Sequence, residues 1–276
     1  MNYRHSFHAG NFADLVKHAV VLDLLARLTT SARPLRVIDT HAGGGLYDLS
    51  GDAARSKEAE AGIARLMATD GALPRPLRAL AERVRVRNAD GEVRWYPGSP
   101  LLIAESLRRG DRYLGHELRP EECDRLAETL RPFPNAEARN EDGYPATLAA
   151  LSGDNDGAVL VLIDPPFERG DDYQRAAETA GAVVRARPDA VAAVWTPIKD
   201  METFDGFLRR LQAASARDAV VAEARLRPLA NPMKMNGCAM VVLNAPTGAE
   251  AAMVDVCAWV VERLGDPGGR AEVWRT

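Results

Sequence analysis

Residues 35–45 read LRVIDTHAGGG, a short apolar run that ends in an acidic residue and continues into a glycine-rich turn. Such a turn is typical of a nucleotide-binding site, because glycines let the backbone approach a ligand closely. Gly43 and Gly45 fit the first two positions of the dinucleotide motif GxGxxG, but Asp48 stands at the third. The pattern D/E-x-G-x-G-x-G is instead typical of S-adenosylmethionine (SAM) methyltransferases, and the carboxylate of Asp39 suits the cationic amino acid end of SAM. A tight turn without a ligand is the alternative interpretation.

Composition limits the classes of protein that the chain can represent. Its 276 residues are 46% hydrophobic and carry a net charge of −4, which is ordinary for a globular protein and excludes a uniformly basic nucleic-acid binder. The three cysteines have no metal-ligand spacing, form no disulfide framework and suit a reducing cytoplasm. No apolar run approaches the roughly 18 residues of a membrane span, and the amino terminus lacks the apolar core of a signal peptide. We expect a cytoplasmic protein without a metal or a membrane partner.

Apolar runs alternate with helical patterns along most of the chain. This alternation predicts an α/β fold with a doubly wound, Rossmann-like and mostly parallel sheet that helices cover on both faces. Runs 219–226 and 238–243 are joined by a loop too short for a crossover helix, so we expect an antiparallel hairpin at the sheet edge. The other predicted strands are 35–38, 113–118, 159–163 and 190–195, and the predicted helices are 13–29, 120–130, 172–186, 202–214 and 249–264.

One stretch interrupts the alternation. Residues 46–95 contain no apolar strand run but two charged helical patterns, at 53–67 and 75–86. We interpret 46–95 as a helical insertion sub-domain within a main domain formed by 1–45 and 96–276. In Rossmann-like folds an acidic residue about 20 residues beyond the first turn, at the end of the next strand, binds ribose hydroxyls. The next predicted strand ends only at Glu117, and the insertion accounts for this long separation.

A second strand ends in a distinctive turn. The apolar run 159–163 continues directly into Asp164-Pro165-Pro166-Phe167. The prolines fix φ and remove backbone donors, so the turn is stiff and its carbonyls are free to accept hydrogen bonds. This combination suits a planar amine: Asp164 and the Pro165 carbonyl each accept one N–H, and Phe167 stacks on the base. We predict these three residues to be catalytic; a solvated aspartate beside a core phenylalanine is the alternative.

Two weaker signals accompany these turns. The first 18 residues are rich in basic and aromatic side chains, including His5, His8 and His18. Such a cluster favours contact with phosphates and unstacked bases, although a frayed terminus is the alternative. Asp142-Gly143 follows a presumed third strand at 135–139 and would place a carboxylate against the adenine amine of SAM. Asp-Gly is also a common turn dipeptide.

Together these motifs resemble those of the bacterial 23S ribosomal RNA adenine-N6-methyltransferase family of the RlmJ type, over nearly the whole chain. The resemblance rests on YRHSFHAGN at 3–11, DTHAG at 39–43, YPGSP at 96–100 and DPP at 164–166. It implies a class I SAM-methyltransferase fold and methyl transfer to N6 of an adenosine in 23S ribosomal RNA. The product is N6-methyladenosine, formed during rRNA processing. We expect a monomer that acts on naked or early-assembly RNA.

The resemblance also implies roles for individual residues. Phe167 stands where the family often has tyrosine, so stacking is kept but a hydroxyl is lost. Two alternative functions remain open. The chain could methylate DNA adenine or a protein glutamine, or it could be a non-catalytic RNA-binding protein with a vestigial SAM fold. The implied substrate-RNA residues are Tyr3, His5 and Lys17, and the implied cofactor-binding residues are His18, His41, Gly43, Ser99, Glu117, Asp142, Gly143 and Asp164.

Overall fold

The computed structural model describes residues 8–50, 57–152, 157–231 and 233–276. Its strands are β1 (Leu35–Asp39), β2 (Leu46–Asp48), β3 (Trp95–Pro97), β4 (Arg112–His116), β5 (Ala136–Arg139), β6 (Ala158–Ile163), β7 (Val191–Ile198), β8 (Ala219–Arg225), β9 (Gly237–Leu243) and β10 (Arg270–Arg275). Its α-helices of more than one turn are α1 (Phe12–Leu28), α2 (Arg75–Arg87), α3 (Ser99–Ala104), α4 (Pro120–Leu130), α5 (Gly143–Leu151), α6 (Asp172–Ala186), α7 (Met201–Ser215) and α8 (Ala249–Leu264).

The main sheet has eight strands in the order β10-β8-β9-β7-β6-β1-β4-β5. Strands β5, β4, β1, β6 and β7 are parallel to one another, and β9, β8 and β10 continue the sheet from β7 in antiparallel pairing. β1 lies between β4 and β6. The chain places β4 and β5 on one side of β1 and then crosses to place β6 and β7 on the other, so the strand order reverses at β1. Ligands bind at such a switch point, beyond the carboxyl ends of the strands.

The antiparallel side of the sheet differs from the prediction. β8 and β9 pair as expected in the antiparallel part at one edge of the sheet, and β10, which was not predicted, extends that edge beyond β8. β10 has the sequence RAEVWR, with charged residues at Arg270, Glu272 and Arg275. Its terminal residues are exposed and the four between them are partly buried. A charged, half-exposed strand suits an edge, where charge discourages pairing with other chains. It lacks the apolar run by which the interior strands were recognised.

The segment 46–95 is largely helical in its described part. It holds α2 and a π-helical turn (Glu60–Ala64) that continues as one α-helical turn (Arg65–Met67). Its two ends, β2 and β3, pair as a small antiparallel sheet that the sequence did not predict. Its buried side chains join the same apolar cluster as α1, and they include Ile63, Leu66, Leu77, Leu80 and Val84.

Helix α1 carries polar residues into the core. The Asn11 side chain caps its first turn by accepting the backbone N–H of Asp14 at 3.0 Å, which is the preferred role of asparagine at this position. The helix is buried on all sides from Ala13 to Leu25. Its buried Lys17 and His18 therefore need polar partners inside the protein.

Candidate functional site

A cavity of about 880 Å³ opens beyond the carboxyl ends of β1, β4, β5 and β6. This volume falls within the range of roughly 300–1,000 Å³ that is usual for small-molecule sites. Tyr3 and His5 lie outside the described residues. Every other predicted site residue lines the cavity: Lys17, His18, His41, Gly43, Ser99, Glu117, Asp142, Gly143, Asp164, Pro165 and Phe167.

The glycine-rich turn after β1 needs its glycines. Gly43 and Gly45 have φ values of +65° and +81°, a region that favours glycine. A Cβ on Gly43 would also lie 2.4 Å from the Tyr47 hydroxyl oxygen. Gly43 lines the cavity, and the lack of a side chain allows a ligand to approach its backbone closely.

Glu117 follows β4 and lies beside this turn. Its Oε2 accepts the backbone N–H of Gly43 at 3.0 Å, and its Oε1 accepts that of Arg119 at 2.8 Å. Burial raises the pKa of Glu117 above its usual value, and the two backbone donors oppose that rise. The carboxylate is thereby fixed in orientation, with lone pairs left over for hydroxyl donors.

Asp142 follows β5 and caps α5. Its Oδ1 accepts the backbone N–H of Tyr144 at 3.1 Å, and its Oδ2 accepts Arg175 at 2.7 Å. Burial acts to raise the pKa of Asp142, but these hydrogen bonds outweigh it and the pKa is lowered. A Cβ on Gly143 would lie 2.0 Å from the Thr40 carbonyl oxygen. Glycine is therefore required for α5 to approach the turn after β1.

The two predicted site histidines, His18 and His41, have different hydrogen-bond partners. His41 is neutral, because burial lowers its pKa to about 4; its Nδ1 lies 2.7 Å from Thr40 Oγ1. His18 is fully buried on α1, with its Nδ1 2.7 Å from the Tyr96 hydroxyl. These contacts fix both rings at the cavity wall.

Asp39 does not take the position that its motif suggested. It is fully buried and does not line the cavity, unlike its neighbours Thr40 and His41. Its Oδ2 accepts hydrogen bonds from Ser99 Oγ at 3.2 Å and the Tyr113 hydroxyl at 3.3 Å, and its Oδ1 accepts the His41 N–H at 3.2 Å. Burial, reinforced by the charge of Asp164, raises the pKa of Asp39 to about 7. Asp39 therefore supports the turn instead of facing a cationic ligand group.

Asp164 directly follows β6. Its side chain pairs with a residue that the sequence did not indicate as its partner. Lys17 Nζ donates to Asp164 Oδ2 at 2.6 Å and lies 3.0 Å from Asp14 Oδ1. The Lys17 side chain is 5% exposed and that of Asp164 is 14% exposed, so the contact is shielded from water. Lys17 was expected to meet RNA, but in this structure its ammonium group lies between two carboxylates.

Phe167 belongs to an aromatic cluster. Its φ of +50° is unusual for a bulky residue, and such backbone conformations concentrate at functional sites. Its ring centroid lies 4.5 Å from that of Tyr173 and 5.9 Å from that of Trp195. Sequence reasoning missed Trp195, which ends the predicted strand 190–195 and lies two residues before Pro197.

A family model described as ribosomal RNA large subunit methyltransferase D, RlmJ, matches residues 32–276. The chain belongs to the RlmJ family of methyltransferases. It is 33% identical over 275 residues to ribosomal RNA large subunit methyltransferase J of Escherichia coli (strain K12), covering 99% of this chain and 98% of that protein. It is 32% identical over 267 residues to the protein of the same name from Haemophilus influenzae (strain ATCC 51907 / DSM 11121 / KW20 / Rd), covering 96% and 94%.

A solved structure has the same fold over nearly its full length. The crystal structure of a protein from Legionella pneumophila str. Philadelphia 1 is 27% identical and superposes with a TM-score of 0.89, covering 97% of this chain and 98% of that one. The sheet order and the RlmJ family match confirm the predicted family and the Rossmann-like methyltransferase fold.

The described ranges contain neither a membrane-spanning helix nor a cluster of metal ligands. None of their helices combines the length and the apolar character needed to cross a membrane. Nor do those ranges bring three or more histidine, cysteine, aspartate or glutamate side chains into an arrangement that would hold a metal ion.

Proposed function

We propose that the protein is a SAM-dependent methyltransferase that methylates N6 of an adenosine in 23S ribosomal RNA. One observation carries this proposal: the Asp164-Pro165-Pro166 turn opens into the same cavity as Glu117 and Asp142. Groups suited to an amine and groups suited to a nucleoside therefore face one space. Family membership, and relatives named for the large-subunit ribosomal RNA, support RNA as the substrate.

The cavity has groups that fit the nucleoside part of SAM. Glu117 keeps lone pairs for the ribose hydroxyls, and Asp142 offers a carboxylate to the adenine amine. The exposed backbone at Gly43 allows the close approach that the rest of the molecule needs, and His18, His41 and Ser99 complete this wall. SAM supplies an electrophilic methyl group on a sulfonium.

The diproline turn acts on the other reactant. The amine of adenine is a poor nucleophile, because its lone pair is delocalised into the ring. Asp164 and the Pro165 carbonyl each accept one N–H and so orient the nitrogen toward the methyl group, which is a positioning contribution. Asp164 is also placed to accept the proton that the nitrogen would lose on methylation, while the sulfonium–methyl bond would break and the neutral thioether would leave; general-base catalysis of this kind is typically worth about 10²–10⁴-fold.

Lys17 orients that carboxylate. Because its ammonium group holds Oδ2 of Asp164, Oδ1 stays available to the amine. The second contact of Lys17, with Asp14, fixes the ammonium to α1. The pair thus joins the end of β6 to the helix beneath the cavity.

The RNA must present an unstacked base. Enzymes that modify a base take it out of its stack and bind it in a pocket, and here Phe167 and Trp195 provide aromatic surface on the wall. Contacts from Tyr3 and His5 remain predictions, as do the cytoplasmic location and the monomeric state. The net charge of −4 leads us to expect only a few phosphate contacts.

The test is methyl transfer from labelled SAM to four substrates: unmodified 23S rRNA transcript, 16S rRNA transcript, duplex DNA and a glutamine-containing peptide. Nucleoside mass spectrometry should find N6-methyladenosine in the 23S transcript alone. Label in DNA or in the peptide would favour the alternative substrates. No transfer, together with no SAM binding by calorimetry, would favour the vestigial fold.

A further inference from the structure

The inserted segment contacts the chain just before α1. The carboxylate of Glu58 holds two of its side chains: Oε1 lies 2.9 Å from His8 Nδ1, and Oε2 accepts Asn11 Nδ2 at 2.9 Å. Hydrogen bonding to Glu58 raises the pKa of His8, while burial only partly opposes it. Both oxygens of one carboxylate are thus used to hold residues 8–11.

The π-helical turn adds a backbone contact to the same segment. In an α-helix the N–H of Ile63 would bond to the carbonyl four residues earlier. Here it leaves the helix and donates to the Gly10 carbonyl oxygen at 2.8 Å. A Cβ on Gly62 would lie only 2.2 Å from that oxygen, so glycine is required for the two backbones to meet. π-bulges are frequent at functional sites, and we call residues 58–63 the clamp.

The residues that the clamp holds lead to the catalytic carboxylate. The Gly10 N–H donates to Asp14 Oδ2 at 2.9 Å, while Oδ1 of the same carboxylate lies 3.0 Å from Lys17 Nζ. Lys17 in turn donates to Asp164. A continuous series of hydrogen bonds and one ion pair therefore runs from the insertion to the diproline turn.

We propose that the insertion positions the active site, with Glu58 and Gly62 as positioning residues that act through residues 8–11, Asp14 and Lys17 on Asp164. This inference rests on the proposed function for its effect on rate. Displacing a reacting group by about 1 Å can cost about 100-fold in rate, so a contact distant from the reacting atoms can still govern turnover. The hydrogen bonds of the clamp reach residues 8–11. Glu58 lines the cavity but is not among the residues assigned to SAM, so cofactor affinity is expected to change little in its variants.

Variants of Glu58 test the carboxylate. In single-turnover methylation of 23S rRNA transcript, Glu58→Ala should be about tenfold slower than the wild type, with the Kd for SAM changed less than about twofold. Glu58→Gln should be intermediate, because its amide oxygen still accepts Asn11. Glu60→Ala, at an exposed position in the same turn, is the matched control and should match the wild type.

Variants of glycine test the backbone contact. Gly62→Ala should slow methylation by a similar factor, whereas Gly206→Ala, in an α7 position with nothing within 4 Å of the added methyl group, should not. Wild-type rates in Glu58→Ala and Gly62→Ala would overturn the proposal. So would equal losses of SAM affinity and of rate, since those indicate general destabilisation.

Amide hydrogen exchange makes the clamp testable without methyl transfer. Peptides covering residues 8–17 should exchange faster in Glu58→Ala than in Glu60→Ala, while peptides of β6 keep their protection. Unchanged exchange in residues 8–17 would overturn the clamp. A wild-type protein that methylates no transcript would instead refute the proposed function, and exchange would still decide whether the insertion holds this segment.

Discussion

The ammonium group of Lys17 lies 2.6 Å from Oδ2 of Asp164, in a contact almost closed to water. Lys17 comes from the middle of the first helix and Asp164 from the end of a strand in the centre of the sheet. The pair therefore links the support of the cavity to the turn proposed to bind the amine. The same ammonium group also contacts the carboxylate of Asp14, so one cation faces two carboxylates.

Removing that cation should destabilise the fold. Lys17→Met leaves Asp14 and Asp164 facing each other, and breaking a buried ion pair from one side typically costs about 3–5 kcal/mol. Urea unfolding should show a loss of this size. Lys199→Met is the control, because Lys199 also lines the cavity but has no ion pair within the described ranges; it should stay within about 0.5 kcal/mol of the wild type. Equal stability of the two variants would contradict the role of Lys17.

Asp39 should make stability depend on pH. Its pKa of about 7 in the folded protein exceeds the ordinary value of 3.8, so the folded state binds more protons and stability falls as pH rises through this interval. Asp39→Asn removes the titration. Between pH 5 and pH 8 the wild type should lose about 2–3 kcal/mol more than this variant.

The measurement for Asp39 is urea unfolding of both proteins at several pH values. The difference between them should change mainly between pH 4 and 7, the interval bounded by the two pKa values. Parallel stability curves would show that Asp39 ionises as readily in the folded protein as in the unfolded chain.

Glu117 should govern affinity for the cofactor. Glu117→Gln replaces a carboxylate proposed to bind the ribose hydroxyls by a weaker, neutral acceptor, so the Kd for SAM should rise about tenfold, equivalent to about 1.4 kcal/mol. Isothermal titration calorimetry measures it directly. Glu121→Gln, exposed on α4, should bind SAM like the wild type. If both variants bind equally tightly, Glu117 does not contact the cofactor.

Local sequence patterns predicted the groups at the strand ends. Asp164, Glu117 and the turn at Gly43 each follow an apolar run, and in parallel strands those ends meet at one side of the sheet. Strand β10 escaped prediction because its charged residues suit an exposed edge. The sheet formed by β2 and β3 escaped because three residues are too few to establish a periodicity.

The contacts that orient the site lay beyond such reasoning. The pairing of Lys17 with Asp164 joins residues that are distant in the chain, and no local pattern reports it. The role of Asp39 was also beyond local sequence patterns. Its motif suggested a contact with the ligand, but in the fold its buried carboxylate accepts hydrogen bonds from Ser99 and His41. The residue types in the sequence therefore indicated the kind of reaction, whereas only the structure shows which groups each carboxylate contacts.

The most direct test of the account is the single-turnover rate at which Asp164→Asn methylates unmodified 23S rRNA transcript, with SAM affinity measured by calorimetry on the same preparation. If the Asp164 carboxylate orients the adenine amine and accepts its proton, the rate should fall by about 10²–10⁴-fold, while the Kd for SAM changes only a few-fold. A variant that binds SAM and forms N6-methyladenosine at the wild-type rate would contradict it.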